Sequence, residues 1–410
     1  MAKKRKKIKK MKKAPNWMFW ILRTLLRPIL KCKYNYSFDR STSKGIKRPC
    51  LIVCNHQAGF DQFAVGLGVK FGINFVASDT IFRHGLQSYA MLKLTRPIPI
   101  TKGTADPVAI KSMMEVAKIG GAVGIFPEGN RCFYGETMTV GKGTGRLAKK
   151  LAVPLVIMRL SGVYLTKPRW KIKPNKGKST GKVVRILSVE ELEKLTALEV
   201  QEIIEKELYI NEFEYNKEQK IKFIGKARAE HLESVLFYCP NCHTFDGLKS
   251  EKHSFFCLKC NMKTEIDEYG FFTTYVGAFS ERPQIPETIL EWSKQQIEYI
   301  KNFDFSAFID KPIFSDNNIE FSKAIKAKKQ TDTQKGSIAF YGDRIRVCEQ
   351  DIYFSDIKAL SIQEVRKLTI YTTTDALVID APLKYNLMKY MICAYHIKHT
   401  QEKKLEYYGY

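Results

Sequence analysis

The sequence predicts an α/β protein with a mostly parallel or mixed sheet flanked by helices, followed by a small cysteine-containing module and a β-rich region. Short apolar runs alternate with helical stretches from about residue 49, the arrangement that places helices on the faces of a sheet. Two Cys-x2-Cys pairs follow, and beyond about residue 300 the pattern changes to short alternating strands. A length of 410 residues with 44% hydrophobic content is enough for two or three domains with buried cores.

Positive charge is concentrated in two stretches of the chain. The formal net charge is +26, and residues 1–48 hold seventeen basic residues against one acidic residue. Residues 167–185 hold eight more basic residues and no acidic ones. This distribution indicates that particular surfaces meet a polyanion, either a nucleic acid or an anionic membrane.

The first basic run is followed by an apolar stretch, residues 17–30, which contains two tryptophans and favours the membrane. Arg23 and Arg27 lie four residues apart, so a helix here has a narrow polar stripe and a wide apolar face. A membrane-spanning helix needs about 20 apolar residues, more than this stretch provides. We therefore predict that residues 1–34 form a basic arm and an amphipathic helix lying in the interface of an anionic membrane.

Three alternatives for this N-terminal region remain open: a signal peptide, a nucleic-acid-binding arm, and a short, tilted spanning helix. No small-residue cleavage site follows the apolar stretch, which argues against secretion. Binding to a phosphate backbone does not require a Trp- and Leu-rich face beside the charge, so no nucleic-acid partner is expected. The second basic stretch contains Trp170 among cations, and we predict that residues 167–173 make a second membrane contact.

The main α/β domain is predicted to span residues 35–195. One helix within it has clear ends, because Asp106-Pro107 supplies an N-cap and a first-turn proline and Gly120-Gly121 supplies a stop. Buried strands are expected at Leu51–Cys54, Ile73–Ala77, Ile98–Ile100, Ala122–Phe126 and Pro154–Met158.

His56 and Asp61 follow the first of these strands, where open α/β sheets place their ligands. A histidine can accept a proton near neutral pH, and a carboxylate on one ring nitrogen leaves the other nitrogen free to accept. Residues five apart diverge by roughly 140° on a straight helix, so these two side chains meet only across a turn, which Gly59 permits.

The stretch 126–131, Phe-Pro-Glu-Gly-Asn-Arg, follows the fourth strand. Gly129 can bring backbone N–H groups close to a ligand, and Arg131 offers a planar fork to phosphate oxygens. Glu128 either binds a hydroxyl of the ligand or anchors the arginine. The two motifs are therefore expected to converge on one edge of the sheet.

Together, these motifs resemble the glycerophospholipid acyltransferase family over residues 35–190. Two further blocks fit the family's order, at residues 96–102 and 153–157. The resemblance implies that His56 is the general base and Asp61 its partner. It also implies that the acceptor's glycerol phosphate is held by Glu128, Gly129, Arg131, Arg96 and Lys102. Lys102 stands where the family usually has arginine, and lysine lacks the bidentate geometry.

The resemblance implies a membrane-associated O-acyltransferase on the cytoplasmic face of a membrane, peripheral or monotopic. It would transfer a fatty acyl group from acyl-CoA or acyl-ACP to lysophosphatidic acid, forming phosphatidic acid. Alternatives are another acceptor, such as a different lysophospholipid or glycerol 3-phosphate, and a non-catalytic lipid-binding adaptor. Cys54 lies inside an apolar run, where a buried and inert thiol is expected and a covalent acyl-enzyme is not.

The remaining residues divide into three predicted segments. Residues 196–235 have a charged helical pattern and are expected to form a bridge. Residues 236–275 contain Cys239, Cys242, Cys257 and Cys260, two paired thiolate knuckles that suit one structural tetrahedral Zn²⁺. Residues 300–410 look like a pleckstrin-homology-type barrel, with several strands closed by a final helix.

Overall fold

The computed structural model describes residues 10–78, 95–100, 106–276, 286–324, 333–373 and 375–402. These residues divide into two compact units. The first unit holds the described residues up to 167 and those from 176 to 221. The second unit holds residues 168–175 and the described residues from 222 onward.

A seven-stranded mixed sheet forms the centre of the first unit, in the order β1-β7-β6-β2-β5-β3-β4. All neighbouring strands are parallel except β6 and β7, which are antiparallel. The strands are β1 Tyr36–Phe38, β2 Cys50–Cys54, β3 Ile73–Ser78, β4 Ile98–Ile100, β5 Ala122–Ile125, β6 Leu155–Ser161 and β7 Ser179–Leu187. The predicted α/β class with a largely parallel sheet is confirmed for this unit.

Helices cover both faces of this sheet because side chains alternate along its strands. Leu51 and Val53 of β2 point into one apolar core, and Cys50, Ile52 and Cys54 point into the other. The helices are α1 Asn16–Tyr34, α2 Asp61–Gly66, α3 Pro107–Lys118, α4 Thr144–Leu151, α5 Val163–Thr166, α6 Val189–Lys194, α7 Ala197–Leu208 and α8 Glu212–Gln219.

Helix α3 begins where the sequence predicts, because the Asp106 side chain accepts hydrogen bonds from the backbone amides of Val108 and Ala109 as its N-cap. Strands β1 and β7 were not predicted. Residues 179–185 belong to the second basic stretch of the sequence. The lysine and arginine of β7 stand among its apolar residues and hide the strand pattern. Its parallel partner β1 is distant in sequence, and local pattern gives no sign of that pairing.

Helix α7 corrects the predicted bridge over residues 196–235. Its residues Val200, Ile204 and Leu208 are fully buried, and they pack into the core that contains Leu51 and Val53. The spacing of four places these side chains on one face of the helix. Residues 197–219 therefore belong to the first unit, and no separate bridge covers the predicted range.

Helix α1 lies on the other face of the sheet. Phe19, Leu30 and Tyr34 contact the core there, while the opposite side of the helix exposes a continuous apolar stripe. The stripe consists of Trp17, Trp20, Ile21, Leu25 and Ile29, which are 40–61% exposed. Within the described ranges, no helix combines the length and apolar character needed to cross a bilayer.

The second unit contains two antiparallel sheets. The first has strands β8 Leu248–Glu251, β9 Ser254–Cys257, β10 Lys263–Ile266 and β11 Phe272–Val276. The second has the order β15-β14-β13-β12-β18-β17-β16. Its strands are β12 Phe314–Ala324, β13 Gln334–Phe340, β14 Arg344–Val347, β15 Gln350–Tyr353, β16 Ala359–Gln363, β17 Lys367–Tyr371 and β18 Ala376–Asp380, and helices α9 Ile289–Asn302 and α10 Leu387–Glu402 accompany them.

The predicted alternation of strands followed by one final helix is therefore present, and the pleckstrin-homology-type assignment stays a prediction. Residues 168–175 also belong to this unit, which corrects the second predicted membrane contact. Trp170 and Lys171 are 2% and 3% exposed, and the Lys171 ammonium donates to the carbonyl of Ala227. A tryptophan buried in the protein cannot insert into a membrane.

Candidate active site

His56 and Asp61 form a hydrogen-bonded pair in the turn between β2 and α2. The distance from His56 Nδ1 to Asp61 Oδ2 is 2.7 Å. The same carboxylate oxygen accepts the backbone N–H groups of Gln57 and Ala58, at 2.6 and 2.8 Å. Asp61 is fully buried, and it fixes the conformation of the turn that carries the histidine.

This geometry determines which imidazole nitrogen can act as a base. An ionised carboxylate only accepts hydrogen bonds, so Nδ1 carries the proton and Nε2 keeps its lone pair. The ring stacks on Phe126, with 4.3 Å between centroids, which holds its orientation. The His56 side chain is 21% exposed, so a ligand can reach it from solvent.

Glu128 is buried and joins the two motifs through its side chain. Its Oε1 accepts the backbone N–H of His56 at 2.6 Å, and its Oε2 accepts that of Met138 at 2.8 Å. Burial raises the pKa of Glu128 to about 8, against the lowering effect of these two donors. Both oxygens of Glu128 thus position backbone, and its substrate-binding role stays a prediction.

Arg131 lies beside the His56 turn. A Cβ atom placed on Gly59 would be 3.2 Å from Arg131 Nη1, so the guanidinium packs against this glycine. The Cys132 amide also donates to the carbonyl of His56, at 2.8 Å. The two motifs thus converge on the same edge of the sheet, as the sequence predicts, and Gly59 leaves space for the arginine.

Gly129 has a positive φ and closes the turn after β5. Its φ of +69° lies in the left-handed region that favours glycine, and its N–H donates to the Phe126 carbonyl at 3.0 Å. This hydrogen bond closes the turn, so the amide of Gly129 is not directed at an anion. The glycine shapes the loop that presents Arg131.

The second block of the family resemblance is residues 96–102, and the structure describes residues 96–100 of it. Arg96 precedes β4, and its Nη1 donates to the carbonyl of Lys13 at 2.6 Å. Its backbone carbonyl accepts from Asn74 near the start of β3, whereas His56 follows the end of β2. Arg96 and His56 therefore lie at opposite ends of their strands, and a substrate-binding role for Arg96 stays a prediction. Lys102 lies outside the described residues and remains a predicted substrate-binding residue.

Cys54 is buried within β2, with 1% exposure. Burial raises the pKa of its thiol well above the ordinary value, and the nearby carboxyl groups of Asp61 and Glu128 act in the same direction. A thiol that keeps its proton is a poor nucleophile. This agrees with an inert residue.

Glu212, the first residue of α8, supports the site and was missed in the sequence. Its side chain is fully buried. Its Oε1 accepts from the side-chain amide Nε2 of Gln57 at 2.6 Å, and its Oε2 accepts from the backbone N–H of Gly162 at 2.7 Å. Gln57 adjoins His56, so this carboxyl group helps to hold the turn that carries His56. The two residues are 155 positions apart, and no local pattern signals the contact.

The pKa of Glu212 predicts a pH-dependent stability. Burial raises this pKa to about 8, so the folded protein retains a proton that the unfolded chain releases near its ordinary pKa of 4.5. The free energy of unfolding should fall as pH rises from about 5 to 8, by on the order of a few kcal/mol, since one pKa unit corresponds to about 1.4 kcal/mol. Calorimetry across this range measures the effect.

Glu212→Gln should reduce the pH slope but not abolish it, because Glu128 contributes a shift of the same sign. Glu214→Gln is the matched control, since Glu214 is exposed on the same helix. Equal slopes in the wild type and in Glu212→Gln would contradict the assignment.

The four cysteines of the second unit form a compact cluster. Their sulfur atoms all lie within 4.8 Å of one another, and the Cys239–Cys260 and Cys242–Cys257 pairs are both 3.7 Å apart. A tetrahedron with Zn–S bonds of about 2.3 Å has edges of about 3.8 Å. The donor set and its spacing therefore fit a tetrahedral Zn²⁺ with four thiolate ligands.

The fold and the histidine site define an acyltransferase domain. Residues 33–161 match the Acyltransferase family model. The matched range contains His56, Asp61 and Arg131, and it ends within β6.

Curated relatives of this domain are 1-acyl-sn-glycerol-3-phosphate acyltransferases. A chloroplastic enzyme of Brassica napus is 29% identical over 137 residues, covering 31% of this chain and 39% of the relative. The enzyme of Bacillus subtilis is 28% identical over 107 residues, covering 26% of this chain and 52% of the relative. The chain thus spans 39% and 52% of the length of these two relatives, less than two thirds in each case.

A solved structure is also similar, the 1-acyl-sn-glycerophosphate acyltransferase PlsC of Thermotoga maritima. The TM-score is 0.40 at 17% identity, over 46% of this chain and 78% of that chain. A score of this size does not establish a shared fold.

Proposed function

We propose that the protein is a membrane-surface O-acyltransferase that acylates the free hydroxyl of lysophosphatidic acid and forms phosphatidic acid. The acyl donor is acyl-CoA or acyl-ACP. The observation that carries the proposal is the His56–Asp61 pair, hydrogen-bonded at 2.7 Å and lying on the same edge of the sheet as Arg131.

In the proposed reaction, Nε2 of His56 takes the proton of the acceptor hydroxyl while its oxygen attacks the thioester carbonyl carbon. Asp61, bonded to Nδ1, stabilises the imidazolium that forms. The tetrahedral intermediate then collapses, the carbon–sulfur bond breaks, and the departing thiolate takes the proton from Nε2. The products are the ester and the free thiol, and His56 returns to its starting state.

Arg131 is proposed to bind the phosphate of the acceptor. A guanidinium can donate two parallel hydrogen bonds to a phosphate, which fixes the orientation of the glycerol as well as its position. The hydroxyl is then held near Nε2, and proximity lowers the barrier to attack.

The proposed membrane contact is the exposed stripe of α1. Five large apolar side chains, including two tryptophans, lie along one side of a 19-residue helix. Exposed stripes of this kind insert into the boundary between headgroups and acyl chains. Such a contact keeps the enzyme where a lysophospholipid and its product dissolve.

The cysteine cluster is proposed to bind one structural Zn²⁺. Four thiolates fill every position of a tetrahedral ion, which leaves no position for a substrate or a water molecule. The metal therefore takes no part in the acyl transfer. The seven-stranded sheet with α10 is proposed to be a pleckstrin-homology-type domain.

A panel of acceptors and donors tests the proposed function. Purified protein is incubated with lysophosphatidic acid, other lysophospholipids and glycerol 3-phosphate, each with acyl-CoA and with acyl-ACP, and the lipid products are identified by mass spectrometry. We expect phosphatidic acid to form fastest from lysophosphatidic acid. Absence of product with every pair would refute the proposal and favour the non-catalytic adaptor.

Arg131→Lys is expected to raise the KM for the phosphate-bearing acceptor by about tenfold, since lysine keeps the charge and loses the bidentate geometry. The kcat should change less, because the His56–Asp61 pair is untouched. Steady-state kinetics with varied acceptor measures both constants. Arg146→Lys, on the exposed surface of α4, is the control and should match the wild type. An unchanged KM in Arg131→Lys would remove this arginine from the acceptor site.

A further inference from the structure

An open cavity of about 490 Å³ lies beside the N-terminus of α1. Its walls come from residues 11–17, which cross the N-terminal edge of the sheet, and from residues that precede β2, β4 and β5. Ala14 within this segment is buried, and its N–H donates to the Asn74 side chain at 2.9 Å. The segment is therefore fixed to the first unit, and the cavity is part of its fold.

Four cationic side chains line the cavity: Lys12, Lys13, Arg48 and Arg96. Arg96 Nη1 donates to the Lys13 carbonyl at 2.6 Å, and Arg48 Nη1 donates to the Ala14 carbonyl at 3.4 Å. These hydrogen bonds hold both guanidinium groups in place and leave their other N–H groups for a ligand.

The lining residues that the structure describes include no acidic one. A nearby carboxyl group, that of Glu115, accepts the Met11 N–H at 3.1 Å. Among the residues that the structure describes, no carboxylate lies within ion-pairing distance of the four cations. The cavity therefore concentrates positive charge and would attract an anion.

This cavity is separate from the candidate active site. Arg48 precedes β2, whereas His56 follows it, and a five-residue strand rises by roughly 15 Å. A ligand of the cavity is thus not the acceptor molecule that reacts at His56.

The position of α1 indicates which anion the cavity takes. Trp17 lines the cavity, is 61% exposed, and begins the apolar stripe. At the other end of the helix, Tyr34 stacks on Phe60 beside Asp61, with 4.2 Å between ring centroids. A helix of 19 residues is roughly 28 Å long, so the stripe runs between the cavity and the active-site edge.

The geometry points to a binding site for the phosphate headgroup of an anionic phospholipid. The headgroup occupies the cationic cavity, and the acyl chains extend along the apolar stripe that starts at Trp17. This inference rests on the proposed membrane contact of α1 and is independent of acyl transfer. Bound there, the lipid fixes the orientation of α1 on the membrane, with the active-site edge at the far end of the helix.

Vesicle flotation with the full chain tests the site. Vesicles of phosphatidylcholine alone are compared with vesicles containing phosphatidylglycerol, using the wild type and the triple variant Lys12→Gln/Lys13→Gln/Arg48→Gln. Each basic residue near an anionic surface adds to the attraction, so the variant should lose at least about tenfold in affinity for the anionic vesicles. Binding to neutral vesicles should change little.

The control variant is Lys111→Gln/Lys150→Gln/Lys182→Gln, which removes the same charge from exposed lysines elsewhere in the first unit. A loss equal to that of the cavity variant would overturn the site, since it would show only an effect of net charge. Two results together would overturn the lipid assignment in favour of a soluble phosphate. The wild type would show no preference for anionic over neutral vesicles, and millimolar inorganic phosphate would abolish its binding to vesicles.

Two further variants separate this inference from the other proposals. His56→Ala should bind vesicles like the wild type, whatever its activity. Leu25→Asn/Ile29→Asn interrupts the stripe and should weaken binding to both kinds of vesicle. If this variant loses vesicle binding and the cavity variant does not, α1 contacts the membrane but the cavity binds no headgroup. That result would contradict the inference. Thermal melts of every variant confirm that the fold is kept.

Discussion

His56→Ala is expected to lower acyl transfer by about 10²–10⁴-fold, the range for a positioned general acid–base group. The reason is that neither carboxyl group beside His56 can replace it: Asp61 is fully buried and bonded to the turn, and both oxygens of Glu128 accept backbone amides. The KM for the acceptor should change little, because Arg131 remains. Initial rates with lysophosphatidic acid and acyl-CoA, over a range of both substrates, measure these effects.

Cys54→Ser is the matched control for this experiment. Cys54 lies two residues before His56, is buried in β2, and should retain most activity when its sulfur becomes oxygen. A loss in Cys54→Ser as large as that in His56→Ala would support a covalent acyl-enzyme and refute direct attack. Undiminished turnover of His56→Ala would refute the general-base assignment altogether.

The parts of this site that could be predicted from the sequence are those set by local chain geometry. A histidine and an aspartate five residues apart after an apolar strand can meet across a turn, and they do. Arg131 follows the neighbouring parallel strand, and the ends of parallel strands share one edge of a sheet. Spacing and strand order carry this information directly.

The roles of the carboxyl groups could not be predicted in the same way. A motif does not reveal which atoms of Glu128 face backbone amides and which face a ligand. Glu212 depends on the packing of α8 against the β2–α2 turn, and that contact joins residues 155 positions apart. Both groups are fully buried, so their roles are fixed by tertiary structure.

Two stretches with similar charge and tryptophan content differ in the exposure of their tryptophans. Residues 17–30 and residues 167–173 each combine tryptophan with cations, yet Trp17 and Trp20 are 61% exposed and Trp170 is 2% exposed. In α1 the apolar residues recur at helical spacing along one face, which produces an exposed stripe. Residues 168–175 have no such period. Periodicity, more than composition, separated an exposed apolar stripe from a segment buried in the protein.

Removal of the metal is expected to unfold the cysteine-containing module and destabilise the second unit. Structural zinc sites of this type contribute about 10–16 kcal/mol of apparent binding free energy. The module itself is small, with four short strands between residues 248 and 276. A chelator, or the variant Cys257→Ser, should lower the Tm of the second unit by about 10 °C or more. Differential scanning calorimetry together with elemental analysis, which should find one zinc per chain, tests this expectation.

The effect should extend beyond the module because an ion pair links it to α10. Lys389, only 2% exposed, lies 2.6 Å from Asp246 of the module and 3.0 Å from Asp316 of β12. Unfolding the module removes one of these two carboxylates and leaves a buried ammonium with a single counter-charge, which is costly. Cys348→Ser, in the same unit but outside the cluster, is the control and should keep both its zinc and its Tm. If Cys257→Ser retained a full equivalent of zinc, or if zinc loss left the Tm of the second unit unchanged, the four thiolates would not form a structural metal site.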